Sequence, residues 1–206
     1  MLNSLLEFDR QYKGIICGVD EAGRGPWAGP VVAAAVILDP EKVSMLGEVD
    51  DSKKISEKKR EGLFQVVINA CLTYAIAEIS AKIIDRSDIL SSTLNAMKSC
   101  TEKLSQKPDV VLVDGNKAPA LAGYNVITVV DGDAKSLSIA AASILAKVYR
   151  DRIMRNYDKL YPGYGFASHK GYGTKEHMDA LNRLGTCGIH RLSYKPVAEI
   201  AAKKQG

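Results

Sequence analysis

From Gly14 to Val19 and again from Pro30 to Leu38 the chain is apolar and rich in Val and Ile, and the EAGRGPWAG stretch joining them is turn chemistry throughout. That pattern predicts a long hairpin. Ser56 can cap a helix whose apolar positions fall at Leu63, Val66, Val67 and Ala70, and Leu72 to Ser80 then returns as a third strand. Ile89 to Leu104 carries a helical stripe at Leu90, Leu94, Met97 and Leu104 that stops before Pro108. Val110 to Val113 is a short, fully apolar strand of the buried kind, and Val126 to Val130 repeats it beyond the loop GNKAPALAG. Ser138 to Tyr161 reads as a long Ala-rich helix closed by Pro162 and Gly163, after which Gly-rich polar segments and two shorter helices finish the chain.

Three antiparallel strands followed by helix and strand pairs make an α/β fold, a mixed five-stranded sheet flanked by helices. There are no internal repeats or low-complexity tracts, and no linker strong enough to split the chain. Residues 1–162 are expected to form the main body and 163–206 a small C-terminal helical appendage packed on it as one structural unit. With 206 residues, 46% of them hydrophobic and 25% charged, such a body can bury a full core without disulfides and is far from a disordered composition. The four cysteines, Cys17, Cys71, Cys100 and Cys187, are scattered without CxxC spacing, as expected of buried thiols in a reducing cytoplasm. The first residues carry acids and no basic start or long apolar run, and no stretch approaches a membrane span, so a cytoplasmic protein without membrane contact is expected.

A net charge of +4 is compatible with a polyanionic partner without identifying one. Its distribution is more telling. Basic residues bunch at Lys53, Lys54, Lys58, Lys59 and Arg60, along Lys147, Arg150, Arg152 and Arg155, and at Lys170, Lys175, Arg191 and Lys195. A solvated helix face explains any one cluster, whereas convergence of the three would call for nucleic acid.

Carboxylates mark the strand ends. Asp20 and Glu21 end the first strand, Asp114 ends the fourth, and Asp133 follows the fifth just before the long helix. Ligands of α/β sheets gather outside such ends, where neighbouring strands bring distant residues together. Acids also simply terminate strands in turns. As a group, however, they would repel by about 4 kcal/mol per charged pair at 4 Å with an effective dielectric of 20, so a cation would stabilise them. An oxygen-only set selects Mg²⁺ or Mn²⁺, and a pair of such ions suits phosphodiester hydrolysis. The sequence holds no GxSxG elbow and no Walker lysine loop. Asp131, two residues before Asp133, competes for the fourth place, and alternation leaves the choice open.

These residues resemble the ribonuclease HII family. The likeness is carried by DEAGRGPWAGPVVAAAV at residues 20–36, DSKKIS at 51–56, VDGN at 113–116, GDAKSLSIAAASILAKVYRD at 132–151 and HKGYGTKEH at 169–177, and runs from about Gly14 to Val197. The resemblance implies a ribonuclease-H-like fold with a small C-terminal helical part and Mn²⁺ or Mg²⁺ dependence. It puts the four site acids at Asp20, Glu21, Asp114 and Asp133, the last because the family's acid lies in a GD step before the Ala-rich helix. Type HIII relatives look similar but carry a long N-terminal extension and typically a Glu among the site acids, traits not seen here.

The implied substrate is an RNA/DNA hybrid, or duplex DNA with single embedded ribonucleotides, cut to leave 5′-phosphate and 3′-hydroxyl ends. Gly23, Arg24 and Gly25 are either a hairpin turn needing positive φ or, as the resemblance implies, a loop whose main chain meets the ribose 2′-hydroxyl. Lys53 and Lys54 are either solvated or on phosphate. Ser143, Lys147 and Arg150 share one stripe of the long helix and suit a phosphate track, with an exposed helix face the alternative for Arg150. His169, His177 and His190 lie too far apart along the chain for a metal set. His169 with Lys170 is expected to touch phosphate, and Trp27 to pack under the loop. Tyr172, between two glycines, is either core or, as the resemblance implies, a ring against the sugar 3′ of the scissile ribonucleotide. A junction resolvase on the same superfold would share the acids without sensing a 2′-hydroxyl, and a binding protein without catalysis would not keep all four. The expected assembly is a monomer, and EIAAKKQG at the end shows no aromatic clamp-binding peptide.

Overall fold

The computed structural model describes residues 2–47, 49 and 56–203. Along the chain run α1 (Leu2–Asp9), β1 (Ile16–Ala22), β2 (Val31–Leu38), a short 3₁₀ turn (Val43–Leu46), α2 (Glu57–Asn69), β3 (Cys71–Ile79), α3 (Ala81–Arg86) and α4 (Ile89–Glu102). Then follow β4 (Val110–Asp114), β5 (Asn125–Val129), α5 (Leu137–Leu160), α6 (Phe166–His169), α7 (Lys175–Leu184) and α8 (Lys195–Lys203). The five strands form one sheet in the order β3-β2-β1-β4-β5. β1 pairs antiparallel with β2 and β2 with β3, whereas β4 runs parallel to both β1 and β5. The expected mixed sheet is present with the expected polarity. Among the described residues no helix is long and apolar enough to cross a membrane.

Period two along β1 and β4 divides the core. Cys17, Val19, Val111 and Val113 face one way and pack with Ala96, Met97 and Cys100 of α4. On the other side, α5 lies over Val32, Ala34 and Val36 of β2 and meets Leu63, Phe64 and Val67 of α2. Small residues let α5 come close: Gly18 sits where a Cβ would collide with the Ser138 backbone. The helix starts are capped as their sequences suggest. Ser56, Asp88, Ser136 and Thr174 accept hydrogen bonds from the backbone N–H groups of Lys59, Ser91, Ile139 and His177.

Helices α1 and α3 have no counterpart in the sequence reading, and the C-terminal part holds three helices, α6 to α8, where two were expected. Asp9, at the end of α1, is buried and accepts from the Ser136 and Ser138 hydroxyls at 2.5 and 2.8 Å and from the Ser138 N–H at 2.9 Å. This eight-residue helix is thus tied to the start of α5 by a buried carboxylate rather than by a long apolar stripe. At the other end of the chain α6, α7 and α8 surround Ala28, Met154, Tyr164, Phe166 and Leu181, so the C-terminal part packs on α5 and on the β1–β2 loop.

Candidate active site

Parallel register puts two of the acids side by side. Val19 pairs with Val113, so the next residue on each strand, Asp20 and Asp114, stands at the same level on neighbouring strands and on the face that α5 covers. Asp114 Oδ1 accepts the Gly132 N–H at 2.6 Å, which ties the end of β4 to the turn carrying Asp133. A Cβ on Gly132 would stand 2.7 Å from Ile139 Cδ1 and 3.0 Å from Asp114 Oδ1, so a larger residue would have to displace the Ile139 side chain and disturb Asp114. That turn separates the two competing acids. Asp131 takes a left-handed backbone, φ 54°, and is exposed, whereas Asp133 is 3% exposed and turned inward.

The electrostatics of this corner are unfavourable for anions. Asp20 is 5% exposed, and burial, then the charges of Glu21 and Asp114, hold its carboxyl well above the usual range. Only hydrogen bonds from the Glu21 N–H, 2.7 Å from Asp20 Oδ1, and from the Ser143 hydroxyl act in the other direction. Glu21 itself pairs with the exposed Arg24 at 3.5 Å. A hard divalent cation would relieve this mutual repulsion and finds oxygen donors only. Among the described residues no three His, Cys, Asp or Glu side chains form a closed cage for one ion. Mg²⁺ typically retains several waters and takes one or two carboxylates plus substrate phosphates, so an open set of pairs fits it.

Beside the acids lies the β1–β2 loop, whose glycines differ in kind. Gly23 has φ +95° and a Cβ there would run into Arg150, so its role is conformational. Gly25 is exposed, has no positive φ, and a Cβ would meet only Tyr172 Cε1 at 3.8 Å. No internal contact demands a glycine at that position. Tyr172 itself is 44% exposed, which removes the core alternative for its ring. The fold thus brings Gly25 and Tyr172 together at the surface.

The supposed phosphate track on α5 is corrected by the structure. Ser143 is buried against Asp20, and Lys147 bonds Asp151 at 2.7 Å, with burial lowering its pKa against the opposing pull of Asp151. Arg150 is fully buried, neither a phosphate ligand nor an exposed face, and donates to the carbonyls of Pro30, Lys170 and Ala28 at 2.9, 3.0 and 3.1 Å. The stripe faces sheet and loop because α5 crosses both. Farther along the helix, Arg152 and Arg155 are paired with Glu61 and Glu57 of α2, so the basic clusters are partly neutralised.

His169 and Lys170 also turn inward. His169 Nε2 lies 2.8 Å from the Tyr164 carbonyl and its Nδ1 accepts the Gly171 N–H at 3.1 Å, while Lys170 Nζ reaches the Ala167 carbonyl at 2.5 Å and Glu57 at 3.1 Å. Both are buried, and they shape the Tyr172 loop rather than reach out to phosphate. The three histidines, distant in sequence, meet in space: the His169 and His177 rings stack at 4.5 Å, and His177 Nε2 is 3.0 Å from His190 Nε2. Trp27 packs as expected, against His177 and under Gly173. Lys53 and Lys54 lie outside the described residues. Sequence reasoning missed Arg191, counted in a surface cluster but fully buried; its position after the Gly-rich stretch gave no signal of burial.

Residues 17–197 match the model of the family described as Ribonuclease HII. The chain belongs to the ribonuclease HII family. It is 49% identical to the Ribonuclease HII of Endomicrobium trichonymphae over 207 residues, covering 98% of each chain. With the Ribonuclease HII of Francisella tularensis subsp. tularensis it shares 54% over 183 residues, 89% of this chain and 96% of the relative. Among solved structures, the ribonuclease H2 of Pyrococcus horikoshii OT3 superposes with a TM-score of 0.80 at 27% identity, covering 93% of this chain and 99% of the other. The protein is accordingly a ribonuclease H, a nuclease and hydrolase, and its fold is that of the ribonuclease HII enzymes.

Proposed function

We propose that this protein is an endonuclease that cuts the RNA strand of RNA/DNA hybrids and cuts 5′ of single ribonucleotides embedded in duplex DNA, leaving 5′-phosphate and 3′-hydroxyl ends. The observation that carries the reading is that one loop serves both features. Asp20 and Asp114 stand side by side at the end of the sheet, and the loop that follows Asp20 and Glu21 on β1 is tied back by the Arg24–Glu21 pair and carries Gly25, which faces the exposed Tyr172. Asp20, Glu21, Asp114 and Asp133 would hold Mn²⁺ or Mg²⁺. When bound, a pair of such ions supplies an activated water and neutralises charge on the phosphate and the leaving 3′ oxygen.

The chain's own residues supply the rest. The Ser143 hydroxyl and the Glu21 N–H fix the Asp20 carboxylate, and the Gly132 N–H fixes Asp114, so the donors are preorganised. Gly25 leaves room for a sugar to approach the loop's main chain, and a 2′-hydroxyl there is the group that separates RNA from DNA. A junction resolvase would have no use for such an opening.

Matched duplexes containing zero, one or four consecutive ribonucleotides, incubated with Mg²⁺ or Mn²⁺ and mapped at nucleotide resolution, test the reading. Cleavage of the last two, at the 5′ side of the lone ribonucleotide, is expected. Cutting of the all-DNA duplex at comparable rate would overturn it, as would failure to cut the single-ribonucleotide duplex.

A further inference from the structure

Arg191 is a fully buried cation whose hydrogen bonds go to backbone carbonyls and one phenol. Its Nε donates to Gly29 O at 3.0 Å, Nη1 to Arg24 O at 2.8 Å, and Nη2 to Gly23 O at 2.6 Å. Nη1 also donates to the Tyr194 hydroxyl at 2.9 Å, which in turn donates to Arg24 O at 2.6 Å. Burying a guanidinium is costly, and here the bonds that compensate it converge on the turn that begins the β1–β2 loop. The backbone holds the same registration, since Arg191 N–H donates to Trp27 O at 2.8 Å.

These bonds have a consequence on the far side of the loop. A trans peptide unit is planar and its N–H points opposite to its C=O, and no peptide bond here is cis. With the Gly23 and Arg24 carbonyls both turned onto Arg191, the Arg24 and Gly25 N–H groups point away from it. Arg24 and Gly25 are exposed, and Gly25 adjoins Tyr172. We infer that Arg191 and Tyr194 are positioning residues that aim two successive amide donors at the ribonucleotide, so that the C-terminal segment sets the selectivity of the glycine loop. The inference rests on the reading that this loop meets the ribose. A residue that merely fastened the C-terminal segment would be needed equally for any duplex.

The test is binding, measured by fluorescence anisotropy in Ca²⁺ on two duplexes of one sequence, all-DNA and with a single ribonucleotide, and read as the ratio of the two Kd values. Tyr194→Phe removes one hydroxyl from a half-buried ring and is expected to lower that ratio by about fivefold, the worth of one hydrogen bond. Arg191→Lys keeps the charge, loses the fork, and is expected to lower it further. Thermal melts accompany both variants, and Tyr194→Phe keeps the test decisive should Arg191→Lys fold poorly. A wild-type difference that Tyr194→Phe preserves overturns the inference alone, as does a proportional rise in both Kd values. Equal wild-type affinities for the two duplexes would remove the reading of the loop and the inference with it.

Discussion

His177 Nε2 lies 3.0 Å from His190 Nε2, so one of these two nitrogens must carry a proton and the other must not. The neighbours decide which. His177 Nδ1 is 2.9 Å from the Tyr172 carbonyl, an acceptor, so Nδ1 holds the proton of His177 and its Nε2 accepts. His190 Nε2 therefore donates, leaving its Nδ1 to accept the Cys187 N–H at 2.9 Å. A directed chain of neutral imidazoles thus runs from Cys187 to the backbone of Tyr172.

Protonating either ring would set N–H against N–H, and burial, the largest cause, lowers both pKa values to about 4. The unfolded values lie near 6.5, so between about pH 6.5 and 4 the unfolded chain binds more protons and stability falls on acidification, by up to ~1.4 kcal/mol per pH unit for each ring. Groups elsewhere, Asp20 and Asp9 among them with raised pKa values, titrate in the opposite sense, so a difference measurement is required. His190→Gln should melt below wild type at pH 7.5, and the gap should narrow towards pH 5. A gap that is constant or widens contradicts the neutral chain.

Asp114→Asn keeps the shape of the side chain and its acceptor for the Gly132 N–H while removing the charge. Cleavage with Mg²⁺ should fall by at least about a hundredfold, while hybrid binding in Ca²⁺ survives. Asp133→Asn should behave alike. Asp131→Asn is the control: the position is exposed and left-handed, a conformation Asn tolerates, so activity should stay within about twofold. Steady-state rates that rank Asp131→Asn below Asp133→Asn would show that Asp131, not Asp133, is the fourth acid.

The two glycines of the loop should separate stability from activity. Gly23→Ala forces a Cβ at φ +95° into Arg150 and should lower Tm by about 5–10 °C. Gly25→Ala meets only Tyr172 Cε1 at 3.8 Å, so Tm should hardly move. Its methyl group instead occupies the space proposed for the sugar, and kcat/KM on a single embedded ribonucleotide should drop by about tenfold or more. Full activity in folded Gly25→Ala would leave the loop a structural turn.

How far the sequence can be read depends on whether a residue's partners are near it in the chain. Strands β1 to β5 and helix α5 are written in periodicity, and Asp20 and Asp114 follow from strand ends, because each depends on local pattern. Asp131 and Asp133 could not be told apart locally, since it is the turn through Gly132, held by the Asp114 carboxylate, that leaves Asp131 exposed and Asp133 buried. The largest misreading concerns cations. Arg150 and Arg191 look like surface charge until the carbonyls of residues 23–30, more than a hundred positions away, fold onto them. Charge at helical spacing predicts solvent unless something distant supplies acceptors, and no local signal announces that it does.

Tyr172 is exposed on a backbone that is held at several points, and that combination bears on selectivity. Its N–H donates to His169 O at 2.9 Å, while its carbonyl accepts from Thr174 N–H at 2.8 Å and from His177 Nδ1 at 2.9 Å. The ring stands over Arg150, 6.0 Å from the guanidinium carbon to its centroid, and beside Gly25. A ring so placed is ready before substrate arrives, so little is lost in ordering it. Against it a deoxyribose presents an apolar edge, whereas a ribose adds a hydroxyl that must be desolvated, so the ring should favour a junction from RNA to DNA. Tyr172→Ala should lose about 1–2 kcal/mol of contact, roughly five- to thirtyfold in kcat/KM on a single embedded ribonucleotide, and much less on a continuous hybrid. Tyr172→Phe keeps the ring and should retain more activity than the alanine variant. Both variants are assayed on both substrates, with melts to confirm folding. Equal losses for Phe and Ala would move the effect to the phenol's hydrogen bond, and unchanged cleavage by the Ala variant would remove Tyr172 from the substrate surface.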